Sequence, residues 1–189
     1  RKTAEIIFEE GIRGFLKDYP ADVLRILTLN HHYRSPLTYS KTSAEAALRT
    51  LQGLKDFLEK LAFAAVERRL KQKIFDGAYK DKLKDAERNF ELALEDDFNT
   101  PKALALILNL MSVLQNIWKL GPESAKEIKN FMERHLNLLG FKFRIKPVKI
   151  PRSVKKLTAE REKFKQNQQF DPADDLRKKI EGLGYSVED

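Results

Sequence analysis

Any chemistry in this chain of 189 residues must come from a short list of side chains. Cysteine is absent, so neither a disulfide, a thiolate metal site nor a thiol nucleophile is available. The histidines are His31, His32 and His135. Neighbouring His31 and His32 cannot share one side of a helix, and no carboxylate stands at ligand spacing from them, so no metal site is expected. His135 falls in the last turn of an expected helix, where its charge complements the helix dipole. Asp96 and Asp97 have the residue types of an acid/base pair, but sequence neighbours point apart. The surrounding EDDFNTP reads as a helix stop instead. There is no GxGxxG, no GxxxxGK[ST] and no HExxH. No catalytic residue is expected, and the chain reads as a binding module.

The binding chemistry on offer is electrostatic. Net charge is +8, and residues 142–165 hold ten Lys or Arg against Glu160 and Glu162, as much as the whole excess of the chain. Phosphates are drawn to such a run by counterion release, which makes Lys149, Arg152, Lys155, Lys156, Arg161 and Lys163 candidate contacts to a nucleic-acid backbone. A solvated linker is the plainer reading of the same run. Acidic residues follow it, Asp174 and Asp189 among them, in FDPADDLRKKIEGLGYSVED. Asp174 falls just after Pro172, where a carboxylate could serve the helix dipole, and Arg177 stands three residues on as a possible ion-pair partner.

The elements that would position these residues are mostly helical. Ile6, Ile7, Ile12, Phe15 and Leu16 set a short helix at 5–18, and Pro20 opens a second to about residue 31. Pro36 breaks the pattern. A long helix is expected over 42–73, with Thr42 and Glu45 at capping-box spacing and Leu51, Leu54, Leu58 and Leu61 on one stripe. A fourth spans 79–95. A fifth starts at Thr100 as N-cap and Pro101 as first helical residue, and carries Leu104, Ile107 and Trp118 towards the core. A sixth, 123–139, closes on Gly140 as a left-handed cap. Residues 1–140 thus predict an antiparallel helical bundle. FKFRIKPVKIP at 141–151 reads as an extended basic linker. Residues 152–189 read as a small α+β unit with helices at 152–166 and 172–181 and a strand-like YSVED end. No apolar run reaches the roughly 18 residues that span a bilayer, no secretory signal opens the chain, and a cytoplasmic location is expected.

Four stretches together resemble one family. PADVLRI at 20–26 resembles the Asp-Ala-Leu-Arg element that names a helical domain of class I aminoacyl-tRNA synthetases. HYRSPLTYS at 32–40 and DDFNTPKAL at 96–104 are similar to segments of the cysteinyl-tRNA synthetases, and ADDLRKKIEGLGYSVED looks like their C-terminal anticodon domain. The resemblance implies a tRNA-binding part of an enzyme that joins cysteine to tRNA(Cys) with ATP. It places an ATP-binding Rossmann catalytic domain and a zinc site before residue 1, and no cofactor in this chain. RKTAEIIF does not match the family's Lys-Met-Ser-Lys-Ser region.

The resemblance also implies roles. It puts anticodon contacts at Lys165, Phe170, Asp174 and Asp189, where carboxylates accept from base donors, a cation donates and an aromatic ring stacks. Lys165 stands where the family often has arginine, and lacks its bidentate fork. His32, Tyr33 and Arg34 would join bundle, catalytic domain and tRNA. Two other readings are a paralogue that couples cysteine to an amino sugar and a bundle used only for protein interactions. The anticodon-like tail argues against the first.

Overall fold

A computed structural model describes residues 11–37, 39–66, 78–114, 121–145, 150–185 and 187. The chain divides into two compact units, Arg1–Pro147 and Val148–Asp189.

The first unit is a helical bundle. Helix α1 covers residues 11–18, followed by α2 (Ala21–Leu29), α3 (Lys41–Ala64), α4 (Ala78–Glu95), α5 (Thr100–Val113) and α6 (Pro122–Leu138). Helix α3 starts one residue earlier than its pattern suggests. Its cap is Ser40 rather than Thr42: Ser43 N donates to Ser40 Oγ and Ser40 N to Ser43 Oγ, each at 3.0 Å. A serine at the third helical position does the work expected of Glu45, because its hydroxyl reaches the same backbone N–H. Ala44, Ala47, Leu51, Leu54, Leu58 and Leu61 then recur every three or four residues and are all buried. This stripe faces α2 and α6, while α4 packs on α5. Leu104, Ile107, Ile128, Met132 and Phe90 complete the core. Each such side chain contributes roughly 1.5–3 kcal/mol by leaving water. Trp118 lies outside the described residues.

Two helix starts differ from expectation. Pro20 takes the N-cap position of α2. Asn99, not Thr100, caps α5, its side chain accepting from Lys102 N at 3.2 Å, so Pro101 is the second helical residue. Asparagine is the stronger cap of the two types.

Helix α6 ends as expected on Gly140, whose φ is +89°. Gly140 N donates to Asn137 O at 3.0 Å and Phe141 N to Leu136 O at 2.9 Å, a Schellman closure. The turn drives Phe141 into the core, and Phe143 and Ile145 pack against it. Residues 141–145 are therefore extended but belong to the bundle, because their aromatic side chains are worth more buried than in a solvated linker.

The second unit is a helical hairpin of α7 (Arg152–Gln166) and α8 (Phe170–Gly182). Its buried residues are Val154, Arg161, Ala173, Leu176 and Ile180. No strand occurs among the described residues; Tyr185 and Val187 are not in one, and Ser186, Glu188 and Asp189 lie outside them. Helix α8 begins at Phe170, earlier than the 172 expected from Pro172. A proline in the first turn removes only an N–H that has no intrahelical partner, so it did not have to mark the first residue.

Candidate nucleic-acid interface

The two ends of chemistry foreseen in the sequence fall in different units. In the second unit, α7 turns one side to α8 and the other to solvent. Arg152, Lys155, Lys156 and Lys163 are exposed. Arg152, Lys156 and Lys163 recur at four and seven residues, so they form one basic ridge. Lys163 and Lys165 also lie in the last turn, where cations suit the helix dipole. Lys149 lies outside the described residues.

Arg161 corrects the expectation of a phosphate contact. Its residue is only 2% exposed. It stands seven residues after Val154, on the face that packs against α8, with its Nη1 3.5 Å from Glu162 Oε1. A guanidinium buried in this way is not presented to a phosphate in solvent. Sequence reading grouped it with the other cations because charge counts ignore helical phase.

The turn from α7 to α8 is a second Schellman closure. Gln168, with φ +56°, is its left-handed residue; Gln168 N donates to Lys165 O at 3.0 Å and Gln169 N to Phe164 O at 2.9 Å. A residue with a Cβ in this conformation costs about 1–2 kcal/mol. The closure fixes how the chain re-enters at Phe170. That ring is 62% exposed, so it does not pack between the helices. Asp174 follows four residues later on the same side of α8, also exposed. It lies in the second turn, while Asp171 holds the first-turn position near the dipole. Arg177 donates from Nε to Glu181 Oε1 at 3.0 Å. No ion pair to Asp174 forms among the described residues. An exposed ring and a carboxylate one turn apart can stack a base and accept from its exocyclic donor. Half-buried Lys165 closes the last turn of α7. Asp189 lies outside the described residues.

In the first unit the structure joins two sequence-distant loops. Tyr33 Oη donates to Asp97 Oδ1 at 2.7 Å, and Arg34 Nε sits 3.2 Å from Asp97 Oδ2. His32 Nε2 is 3.8 Å from the same carboxylate. The His32 and Tyr33 rings stack with centroids 4.8 Å apart, and the Arg34 guanidinium carbon lies 5.4 Å from the centroid of the Tyr33 ring. The hydrogen bond from Tyr33 to Asp97 holds the phenol proton and raises its pKa above the usual 10.0, against a smaller lowering by Arg34. Asp97 and Phe98 are both left-handed, with φ +52° and +51°. Sequence reading took Asp97 for part of a helix stop and missed its organising role. The only signal was a pair of polar loops, and contacts 63 and 64 residues apart are not written in either.

Elsewhere, Arg25 pairs with Asp22, and its guanidinium lies 5.6 Å from the centre of the Phe141 ring. His31 Nδ1 is 2.9 Å from Leu27 O. His135 is buried between Phe90 and Phe131, and burial lowers its pKa below 6.5. Among the described residues no group of His, Asp and Glu could hold a metal, and no helix is long and apolar enough to cross a membrane.

Comparison with known proteins matches residues 89–144 to the DALR domain family. The match runs from late α4 through α6 and takes in Phe141; PADVLRI lies before it, yet its Arg25 packs on that ring. A cysteine--tRNA ligase of Methanosarcina mazei is 33% identical over 173 residues, 90% of this chain and 37% of its own length. That of Methanosarcina acetivorans is 32% identical over 92% of this chain and 37% of its length, and that of Persephonella marina 29% identical over 94% and 41%. The chain thus spans about two fifths of the length of these relatives. Over nine tenths of its length it is similar to a part of these cysteine--tRNA ligases, and its residues 89–144 match the DALR domain.

Proposed function

We propose that this chain is the tRNA-binding, C-terminal part of a cysteine–tRNA ligase, that it recognises tRNA(Cys) including its anticodon, and that it acts in the cytoplasm. The observation that carries this reading is the pairing of Phe170 and Asp174. They are exposed one turn apart on α8, in a unit whose neighbouring helix shows a basic ridge. Phosphate contacts by Arg152, Lys155, Lys156 and Lys163 hold an RNA without reading it. Phe170 offers a platform to a splayed base, Asp174 an acceptor, and Lys165 a donor from across the turn. Asp189, in the tail where a short strand of an α+β unit is expected, supplies a second acceptor. ATP and zinc belong to a catalytic Rossmann domain of the same polypeptide. This chain by itself forms no cysteinyl-adenylate.

The test is binding of purified chain to tRNA bearing the anticodon GCA and to the same tRNA with a changed anticodon. Asp174→Asn puts a donor where a base donor was accepted, and loss of such a contact costs about 1–3 kcal/mol of discrimination. Lys156→Ala weakens both tRNAs alike. If Asp174→Asn leaves the ratio of the two affinities unchanged, Asp174 does not read the anticodon.

A further inference from the structure

We propose that the groove between α4 and α6 binds a small phosphate monoester with a flat apolar body, no larger than a nucleotide. The inference goes beyond the reading of α7 and α8 as tRNA contacts and does not rest on it.

Helices α4 and α6 run in the same direction, as three contacts between them require. Tyr79 Oη donates to a Glu127 carboxylate oxygen at 2.8 Å, Arg134 pairs with Glu87, and the His135 ring meets Phe90 edge-on. The first two contacts bracket a groove of about 380 Å³, at the lower end of the roughly 300–1,000 Å³ usual for small-molecule sites. From Lys80 to Glu87 its α4 wall is about 10 Å long. That length matches a ring carrying one acid group, not a partner helix lying along the groove.

The acid group follows from charge. Lys80 and Lys84 stand one turn apart on the α4 wall, both exposed, and neither forms an ion pair among the described residues. The two carboxylates of the lining are already placed, Glu127 on Tyr79 and Glu87 on Arg134. Counting Arg134, the lining holds three cations against these two acids. Lys80 is also the third residue of α4, in a first turn where the helix dipole disfavours a cation. The shared direction of the helices puts the N-terminus of α6 at the same end. A phosphate between the two lysines offsets that cost and gives each ammonium a charge-assisted acceptor.

The flat body follows from the rest of the lining. Leu83 and Phe131, both mostly buried, supply its apolar surface. The Arg134 guanidinium carbon lies 5.8 Å from the Phe131 ring centroid, and a guanidinium plane also stacks on an incoming ring. On the α6 wall the exposed Asn130 amide has no hydrogen bond among the described residues, so it remains for a polar edge of the ligand.

The probe is phenyl phosphate, titrated into the isotope-labelled full chain at pH 7.5 with inorganic phosphate as control, and followed by the amide resonances of Lys84 and Asn130. Saturable shifts are expected with a dissociation constant on the order of 1 mM, the strength open to so small a ligand. Inorganic phosphate should bind at least about tenfold more weakly, since it leaves the apolar surface unused. Lys84→Gln keeps the helix and removes one charge, and should weaken phenyl phosphate by roughly tenfold with circular dichroism unchanged. Absence of saturable shifts in the unaltered chain overturns the proposal, as does equal affinity in folded Lys84→Gln. Equal binding of the two probes removes the flat body and overturns it as well. A tenfold loss of tRNA affinity in Lys84→Gln would make this wall an RNA contact and also overturn it. A chain that binds phenyl phosphate here but binds no tRNA keeps this inference and removes the proposed function instead.

Discussion

Replacing Gly140 by alanine tests whether the Arg25 contact is part of the bundle's stability. Gly140 closes α6 at φ +89°, where an L-residue pays about 1–2 kcal/mol. A Cβ there would lie 3.0 Å from Arg25 Nε and 3.5 Å from its Cδ. The guanidinium must give way, and it is the group held over Phe141. Weakening that cation–π contact adds up to about 0.5–1 kcal/mol. Alanine also restricts the unfolded chain, which returns about 0.4–1 kcal/mol. The net expectation is a loss of about 1–2 kcal/mol. The loss of helical circular dichroism through a urea titration reports the unfolding. The midpoint should fall with an unchanged slope. In an Arg25→Met background, a flexible apolar side chain removes the guanidinium, and Gly140→Ala should then cost about 0.5–1 kcal/mol less. A cost below about 0.5 kcal/mol in the natural background would refute the strain argument. An equal cost in both backgrounds would refute the part assigned to Arg25.

The bundle was legible in the sequence because its determinants are local and repeat along the chain. Leu51, Leu54, Leu58 and Leu61 mark a buried stripe wherever α3 begins, and a glycine after an amphipathic run marks Gly140 as a cap. Helix starts were less legible, since Ser40, Thr42, Asn99 and Thr100 are all competent caps and the choice between them rests on which side chain meets a backbone N–H. Phe141 was misplaced for a related reason. Its neighbours Lys142, Arg144 and Pro147 suggest solvent, but alternation in an extended segment lets Phe141, Phe143 and Ile145 face the core while the cations face out. In the candidate site, charge counting found the basic ridge and overreached at Arg161, which helical phase turns inward. Phe170 and Asp174 came from resemblance, and their exposure on one side of α8 could not be had from composition. The Asp97 corner could not be read at all from residue types, because it depends on a turn of two left-handed residues that brings one loop against another.

Further tests use the remaining local geometry. Burial holds the folded pKa of His135 below 6.5, so the neutral form is favoured in the fold. Stability on this account is complete above about pH 6.5 and falls as pH drops from there towards the folded pKa, where the loss levels off; Glu87, Glu91 and Arg134 are the charges that act on it. His135→Gln should flatten the urea midpoint between about pH 7 and 5, and an unchanged pH dependence would place the proton elsewhere. Gln168→Gly relieves the left-handed turn of the hairpin and should raise its thermal stability by up to about 1 kcal/mol; a loss would mean that the turn has another conformation in solution. For tRNA binding, log K should fall with log salt by about 0.7–0.9 per phosphate contacted, and Lys156→Ala should lower that slope by about one contact. A slope unmoved by Lys156→Ala takes the α7 ridge out of the interface. The last test concerns Asp97. Its carboxylate accepts the Tyr33 hydrogen bond and keeps the phenol protonated above pH 10.0, so the contact is complete below that value and is lost as pH rises through the raised pKa. Asp97→Asn offers a neutral acceptor, or a donor if the amide turns, and no longer disfavours the phenolate by its charge. Absorbance titration, with Tyr33→Phe as the subtraction that isolates this one of five tyrosines, should show Tyr33 ionising at lower pH in Asp97→Asn. An unmoved Tyr33 titration would mean that the two loops do not meet through this hydrogen bond.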